Sequence, residues 1–291
     1  MIITATAFAA RITERPFRGR GRHDRAPYFS VRALAMTDVP PADSPLVSRV
    51  LPSPNHGERR GPARPDCVIL HYTGMPTAES AIALLRDPKS EVSCHYVIDE
   101  EGVISQLVPE SRRAWHAGAS VWKGERDMNS VSIGIEICNP GYDGGLPPFP
   151  RRQIDATIAI CKDIRSRHKM RRERFLAHSD IAPGRKRDPG ERFPWDLLAR
   201  AGVGHWVAPT PISGDALFGR GQEGPHVRGL QAMLSLYGYG LDMSGVYDHA
   251  TEIVVTAFQR HFRPERVDGA ADASTIATLR ALLSGLGSYT R

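Results

Sequence analysis

Between residues 66 and 198, apolar runs of strand length alternate with stretches of helical periodicity, most of them closed by Gly, Pro or Asn. This alternation limits the fold more than composition does. Strands and amphipathic helices taken in turn hide their apolar faces by building a sheet with helices laid on it. "CVILHYTG" reads as a buried strand with His71 at its C-terminal end, and "ESAIALLRDP" as a helix stopped by Pro88. "CHYVIDEEGVISQLVP" holds two strand-like runs around Glu101 and Gly102, a hairpin. In "SVSIGIEICNPG" the residues Ile133, Ile135 and Ile137 alternate around Glu136, and Asn139, Pro140 and Gly141 end the strand. "RRQIDATIAICKDIRSRH" places Ile154, Ile158, Cys161, Ile164 and His168 at helical spacing, and "RFLAH" reads as a last strand.

Residues 205–218 lose periodicity and gain proline, as a linker would. Three helical patterns follow: Val227, Leu230, Leu234 and Tyr237; Val254, Ala257, Phe258 and Phe262; Ile276, Leu279 and Leu283. Together they can enclose a small separate core. "GRGQEG", Gly219 to Gly224, matches a dinucleotide-binding fingerprint in letters alone, because no βαβ unit surrounds it.

The net charge of +6 invites a nucleic-acid reading, but its location argues otherwise. Residues 1–65 carry eleven arginines against five carboxylates, which is the whole surplus. A basic, proline-containing segment of this kind is expected to be solvated and disordered, with Met36 an alternative start. No partner nucleic acid is expected. No apolar run nears the roughly 20 residues of a membrane-spanning helix, and "MIITATAFAA" lacks the positive residue that precedes a signal peptide's apolar core. Cys67, Cys94, Cys138 and Cys161 have no CxxC spacing and sit in apolar runs, so buried free thiols are expected.

The chemistry concentrates in "RFLAHSDIAPGRKRDPG". A catalytic zinc takes three His, Asp or Glu ligands and leaves a fourth position for water. His178 and Asp188 lie ten residues apart across a loop able to turn back, and His71 at another strand end is the natural third. Spacing alone does not exclude a polar surface loop, since a histidine at a strand end is more often a hydrogen-bonded surface or core group than a ligand.

Resemblance narrows the choice. "VILHYTGM", "SCHYVIDEEGVISQLVPE", "RAWHAG", "NSVSIGIEICNPG", "FPRRQIDA" and "AHSDIAPGRKRDPGERFPW" occur in order, and residues 66–198 resemble the zinc-dependent N-acetylmuramoyl-L-alanine amidase family, which shares its fold with peptidoglycan recognition proteins. The resemblance implies that His71, His178 and Asp188 hold one Zn2+, that Glu136 is the catalytic carboxylate and that Lys186 steadies the oxyanion. It implies also that Trp115, His116 and Asn139 border the substrate cleft, although Trp115 would serve equally to cap the core. Some phage relatives carry a tyrosine where this chain has Cys94, so no tyrosine role transfers, which favours Glu136 as base. Gly224, "LQ" at Leu230 and Gln231, "GY" at Gly238 and Tyr239, "AFQ" at Ala257 to Gln259 and "VDG" at Val267 to Gly269 resemble a three-helix peptidoglycan-binding domain.

The expected fold is therefore α/β: a mixed central β-sheet flanked by helices, plus a small all-α three-helix domain. The expected boundaries are a basic tail over 1–45, the catalytic domain over 46–204, a linker over 205–218 and the binding domain over 219–291. The expected activity is hydrolysis of the amide between the lactyl group of N-acetylmuramic acid and L-alanine, in peptidoglycan or muropeptides, with a non-catalytic recognition protein of the same fold as alternative. A monomer in the cell envelope is expected; the cytoplasm is the alternative, because no export signal is legible.

Overall fold

The computed structural model describes residues 41–61 and 64–286. Its strands are β1 (Arg49–Val50), β2 (His56–Glu58), β3 (Cys67–Tyr72), β4 (Tyr96–Ile98), β5 (Ile104–Gln106), β6 (Arg112–Ala114), β7 (Ser132–Ile137), β8 (Phe175–Ala177), β9 (Ala216–Phe218) and β10 (Ala271–Asp272). The α-helices are α1 (Ala78–Arg86), α2 (Met128–Val131), α3 (Arg151–His168), α4 (His178–Ile181), α5 (Trp195–Arg200), α6 (Pro225–Tyr237), α7 (His249–Phe262) and α8 (Ala273–Leu286). Six strands form a mixed sheet in the order β1-β5-β4-β7-β3-β8. The hairpin pair β4–β5 is antiparallel, whereas β4, β7, β3 and β8 run parallel to one another. The expected mixed sheet with flanking helices is what forms, as do the three C-terminal helices.

Local chemistry sets the element ends. Thr77 caps α1 by accepting from the Ser80 amide, and Asp87 ends it just before Pro88. The helix α3 terminates where Lys169 turns left-handed and its N–H reaches the Arg165 carbonyl. Alternation along β3 then divides the interior. Val68 and Leu70 join Ile133, Ile135, Ile137 and the α3 residues Ile154, Ile160 and Ile164 in one apolar cluster. Cys67 and Ile69 face the other way, into a cluster that holds Trp122, Met128, Ile181, Leu234, Tyr239, Val254, Phe258 and Leu279. The three C-terminal helices thus share a continuous core with the second face of the sheet. All four cysteines are free and buried.

Two details differ from the sequence reading. Asp43 and Ser44, assigned there to a disordered tail, belong to the folded unit: the Asp43 carboxylate accepts from Gln106 Nε2 (2.6 Å) and the Glu110 amide (2.8 Å), and Ser44 is buried. Residues 1–40, with most of the arginine-rich segment, lie outside the described residues. In the presumed linker, Ala216–Phe218 pairs antiparallel with β10, because the return of the chain before α8 supplies an edge. The glycine-rich Gly219–Gly224 connects that strand to α6 without a βαβ unit.

A buried carboxylate ties the sheet to α3. Glu110, 3% exposed, accepts from Tyr96 Oη (2.6 Å), from His168 Nε2 (2.7 Å) and from both terminal nitrogens of Arg167. Burial alone would raise its pKa, but Arg167, His168 and Tyr96 outweigh that and hold it down at about 2, against 4.5 for a free side chain. A depressed folded pKa stabilises fully above the unfolded value and is lost as pH falls through the folded one. At about 1.4 kcal/mol per pKa unit, Glu110→Gln is expected to cost about 3–4 kcal/mol at neutral pH. The gap to the parent should close between pH 4.5 and about 2, measured by urea unfolding across that range.

Candidate active site

The period of two that builds the core also collects the reactive groups. With Ile133, Ile135 and Ile137 turned toward α3, the residues Ser132, Gly134 and Glu136 face the opposite side. Parallel pairing of β3 with β7 sets Cys67 beside Ser132, Ile69 beside Gly134 and His71 beside Glu136. His71 and Glu136 therefore stand together at the carboxyl ends of parallel strands, where sheets of this kind bind ligands. The neighbouring strand β8 delivers His178, which begins the single turn α4 rather than ending the strand. Asp188 folds back through the Lys186 amide to the Ala182 carbonyl (3.0 Å) and the Ser179 amide to the Asp188 carbonyl (3.0 Å).

Three ligand atoms converge. His71 Nδ1, His178 Nδ1 and Asp188 Oδ2 lie 2.9 Å from one another in each pair, all on buried residues. The hydrogen bonds behind them fix the tautomers. Ser132 Oγ donates to the Met128 carbonyl and so accepts from His116 Nε2 (3.2 Å). His116 Nδ1 then accepts from His71 Nε2 (3.0 Å), which leaves His71 Nδ1 without a proton. His178 Nε2 donates to the Ala117 carbonyl (3.0 Å), which bares His178 Nδ1 in the same way. Two bare imidazole nitrogens and a carboxylate facing each other form a set that a divalent cation satisfies.

The electrostatics agree. Burial, reinforced by His178, lowers the His71 pKa to about 4, so the ring is neutral. Burial opposes ionisation of Asp188, but positive charge on the His178 and His71 side of the contact, a ring proton or a cation in its place, outweighs it and holds the carboxyl far below its usual range. Glu136 goes the other way: burial first, then Asp188, push its pKa well up, with Lys186 opposing. Its Oε2 is sealed from solvent and has no hydrogen-bond partner.

His71, Glu136, His178, Lys186 and Asp188 line one cavity of about 480 Å³, together with Trp115 and His116. Met75, Leu84 and Val92 give it an apolar wall. Asn139 is not among the lining residues. It is buried, its amide donates to the Pro147 carbonyl (2.9 Å), and its Oδ1 accepts from the Gly141 amide, so it shapes the turn after β7. His116 lies against His71 as its hydrogen-bond partner. Sequence reasoning missed Gly134, Ser132 and His95. His95 Nδ1 accepts from the Gly134 amide (2.9 Å), and its ring meets His116 edge to face. The histidine in "SCHY" was the available signal.

Comparison with known proteins now decides the family. The N-acetylmuramoyl-L-alanine amidase family matches residues 61–191, and a peptidoglycan binding domain family matches residues 223–279. The N-acetylmuramoyl-L-alanine amidase AmiD of Escherichia coli K12 is 39% identical over 235 residues, covering 76% of this chain and 83% of its own. This chain belongs to the N-acetylmuramoyl-L-alanine amidase family. AmiD solved with anhydro-N-acetylmuramic acid-L-Ala-D-gamma-Glu-L-Lys superposes with a TM-score of 0.66 at 37% identity, over 78% of this chain and 91% of AmiD. AmpDh3 of Pseudomonas aeruginosa gives 0.63 at 34%, over 77% and 93%. The 1,6-anhydro-N-acetylmuramyl-L-alanine amidase AmpD of Enterobacter cloacae is 31% identical over 165 residues, 51% of this chain and 86% of its own. This amidase is a hydrolase of the bond between N-acetylmuramic acid and L-alanine.

Gly134 is where the amidase site tolerates no side chain. A Cβ there would fall 2.5 Å from the His116 ring, which lies flat against the strand. Gly134→Ala is expected to displace His116, release the tautomer lock on His71 and weaken divalent-metal binding about 10–100-fold, read by chelator competition.

Proposed function

We propose that this amidase holds one zinc ion on His71, His178 and Asp188, and works on polymeric peptidoglycan in the cell envelope as a monomer. The convergence of two deprotonated imidazole nitrogens and a carboxylate at 2.9 Å carries the zinc assignment. Bound there, zinc supplies a Lewis acid and makes water acidic enough to attack an amide near neutral pH.

The protein's own groups supply the rest. Glu136 lines the same cavity and has a raised proton affinity, which suits it to take the proton of the attacking water and deliver it to the leaving amine. Lys186 lines that cavity too, which suits its ammonium to steady the negative charge that develops on the carbonyl oxygen. Trp115 offers an aromatic face to the sugar or peptide, and the apolar wall of Met75, Leu84 and Val92 suits the non-polar parts of the stem.

The preference for polymer rests on the helical unit, which we extend from the expected 219–291 to take in β9 (Ala216–Phe218), paired with β10. A second groove of about 470 Å³, lined by Leu217, Phe218, His226, Met233, Ile276 and Arg280, gives it a surface of its own. A chain held on polymer by such a surface meets its substrate at raised effective concentration. Among the described residues no helix is long and apolar enough to cross a membrane.

The test is hydrolysis of purified peptidoglycan and of a soluble muropeptide, as purified, after chelation and after zinc is restored. Release of stem peptides beginning with L-alanine, lost on chelation and regained with zinc, is expected, faster on polymer than on fragment. Glu136→Gln should lower kcat about 10²–10⁴-fold and Lys186→Ala about 10²–10³-fold, each with one zinc retained. Full activity after exhaustive chelation would end the zinc assignment, and a zinc-loaded protein that releases nothing would leave a recognition protein.

A further inference from the structure

The turn that carries His178 is held from outside the amidase sheet. Asp180, fully buried in α4, has three donors. Its Oδ2 accepts from the Ala177 amide (2.8 Å), which fixes the bend from β8 into the turn. The same oxygen accepts from His261 Nδ1 (2.6 Å), and Oδ1 accepts from Tyr239 Oη (2.7 Å). Two of the three donors thus come from the C-terminal helical unit.

Both donors are themselves fixed. The His261 ring stacks on Trp195 of α5, centroids 3.8 Å apart, and on Phe262. Tyr239 packs edge-on against Trp122 at 5.0 Å, and the Lys123 amide donates to the Gly238 carbonyl (2.8 Å). The segment so anchored also supports the ligand, since the Val121 amide binds the Ile181 carbonyl (2.8 Å) and the Ala117 carbonyl accepts from His178 Nε2. A buried carboxylate deprived of His261 and Tyr239 would keep a single backbone donor, and it would have to swing out or admit water. Either movement releases the bend that aims His178.

We propose that Tyr239 and His261 are positioning residues for the metal site, so that the helical unit helps shape the catalytic centre as well as offering a surface to polymer. This rests on the zinc reading above.

The experiment uses full-length Tyr239→Phe, His261→Leu, the double variant and His261→Asn, whose side-chain amide can donate from the place of Nδ1. Leu279→Ala, in the buried part of α8, serves as a destabilised control. Zinc affinity is read by competition with a chromophoric chelator, and kcat and KM on a soluble muropeptide, which takes polymer binding out of the readout. The double variant is expected to bind zinc about 10–100-fold more weakly and, zinc-saturated, to lose about tenfold in kcat with KM within about twofold. His261→Asn should recover most of the zinc affinity. Leu279→Ala should lower the melting temperature and leave zinc affinity unchanged. If the double variant does not fold, Tyr239→Phe, which removes one hydroxyl, is expected to show a several-fold loss of zinc affinity. Parental zinc affinity and kcat in folded variants, or an equal loss in Leu279→Ala, overturns the positioning role. A parent that itself fails to bind zinc overturns the zinc reading, and this proposal with it.

Discussion

Two unprotonated imidazole nitrogens and a carboxylate oxygen, 2.9 Å apart on buried residues, repel one another unless a cation lies among them. Such a group persists only if its surroundings prevent each member from turning away. Much of the structure is that restraint. His116, Ser132 and the Met128 carbonyl hold His71, the Ala117 carbonyl holds His178, and the Ser179 amide holds the Asp188 backbone. The Arg185 guanidinium in turn donates to the Ala117 and Ala119 carbonyls, which fixes the segment that His178 leans on.

The restraint has a geometric origin in strand register. Because side chains alternate, one choice of β3–β7 pairing gives the isoleucines to the α3 face and leaves Ser132, Gly134 and Glu136 beside Cys67, Ile69 and His71. A slip of one residue would bury Glu136 against α3 and turn an isoleucine into the cleft. The apolar core and the polar array that faces the cleft are therefore two consequences of one register. The absence of a side chain at Gly134 belongs to it as well, since the His116 ring occupies the space where a Cβ would be.

The second face of the sheet shows why the C-terminal helices matter to the first domain. Ile69 and Ile181 enter the same apolar cluster as Leu234, Tyr239, Val254 and Phe258. Asp180 provides a polar link across it.

By itself the sequence determined a good deal here. The periodicities located β3, β7, α3 and the three C-terminal helices, because hydrophobic burial is written locally at periods of 2 and 3.6. The ordered motifs pointed to His71, His178, Asp188, Glu136 and Lys186, which one cavity brings together. What sequence could not show depends on partners far apart along the chain. The resemblance put Asn139 at the cleft, but Pro147 and Gly141 use its amide. His95 and Gly134 looked like ordinary strand residues until the packing of His116 against both was visible. Tyr239 read only as part of a binding-domain motif and His261 drew no reading, since they lie 59 and 81 residues from the Asp180 they hold. Local pattern fixes which face of an element is apolar, whereas the partner of a buried polar group is fixed only when distant elements pack.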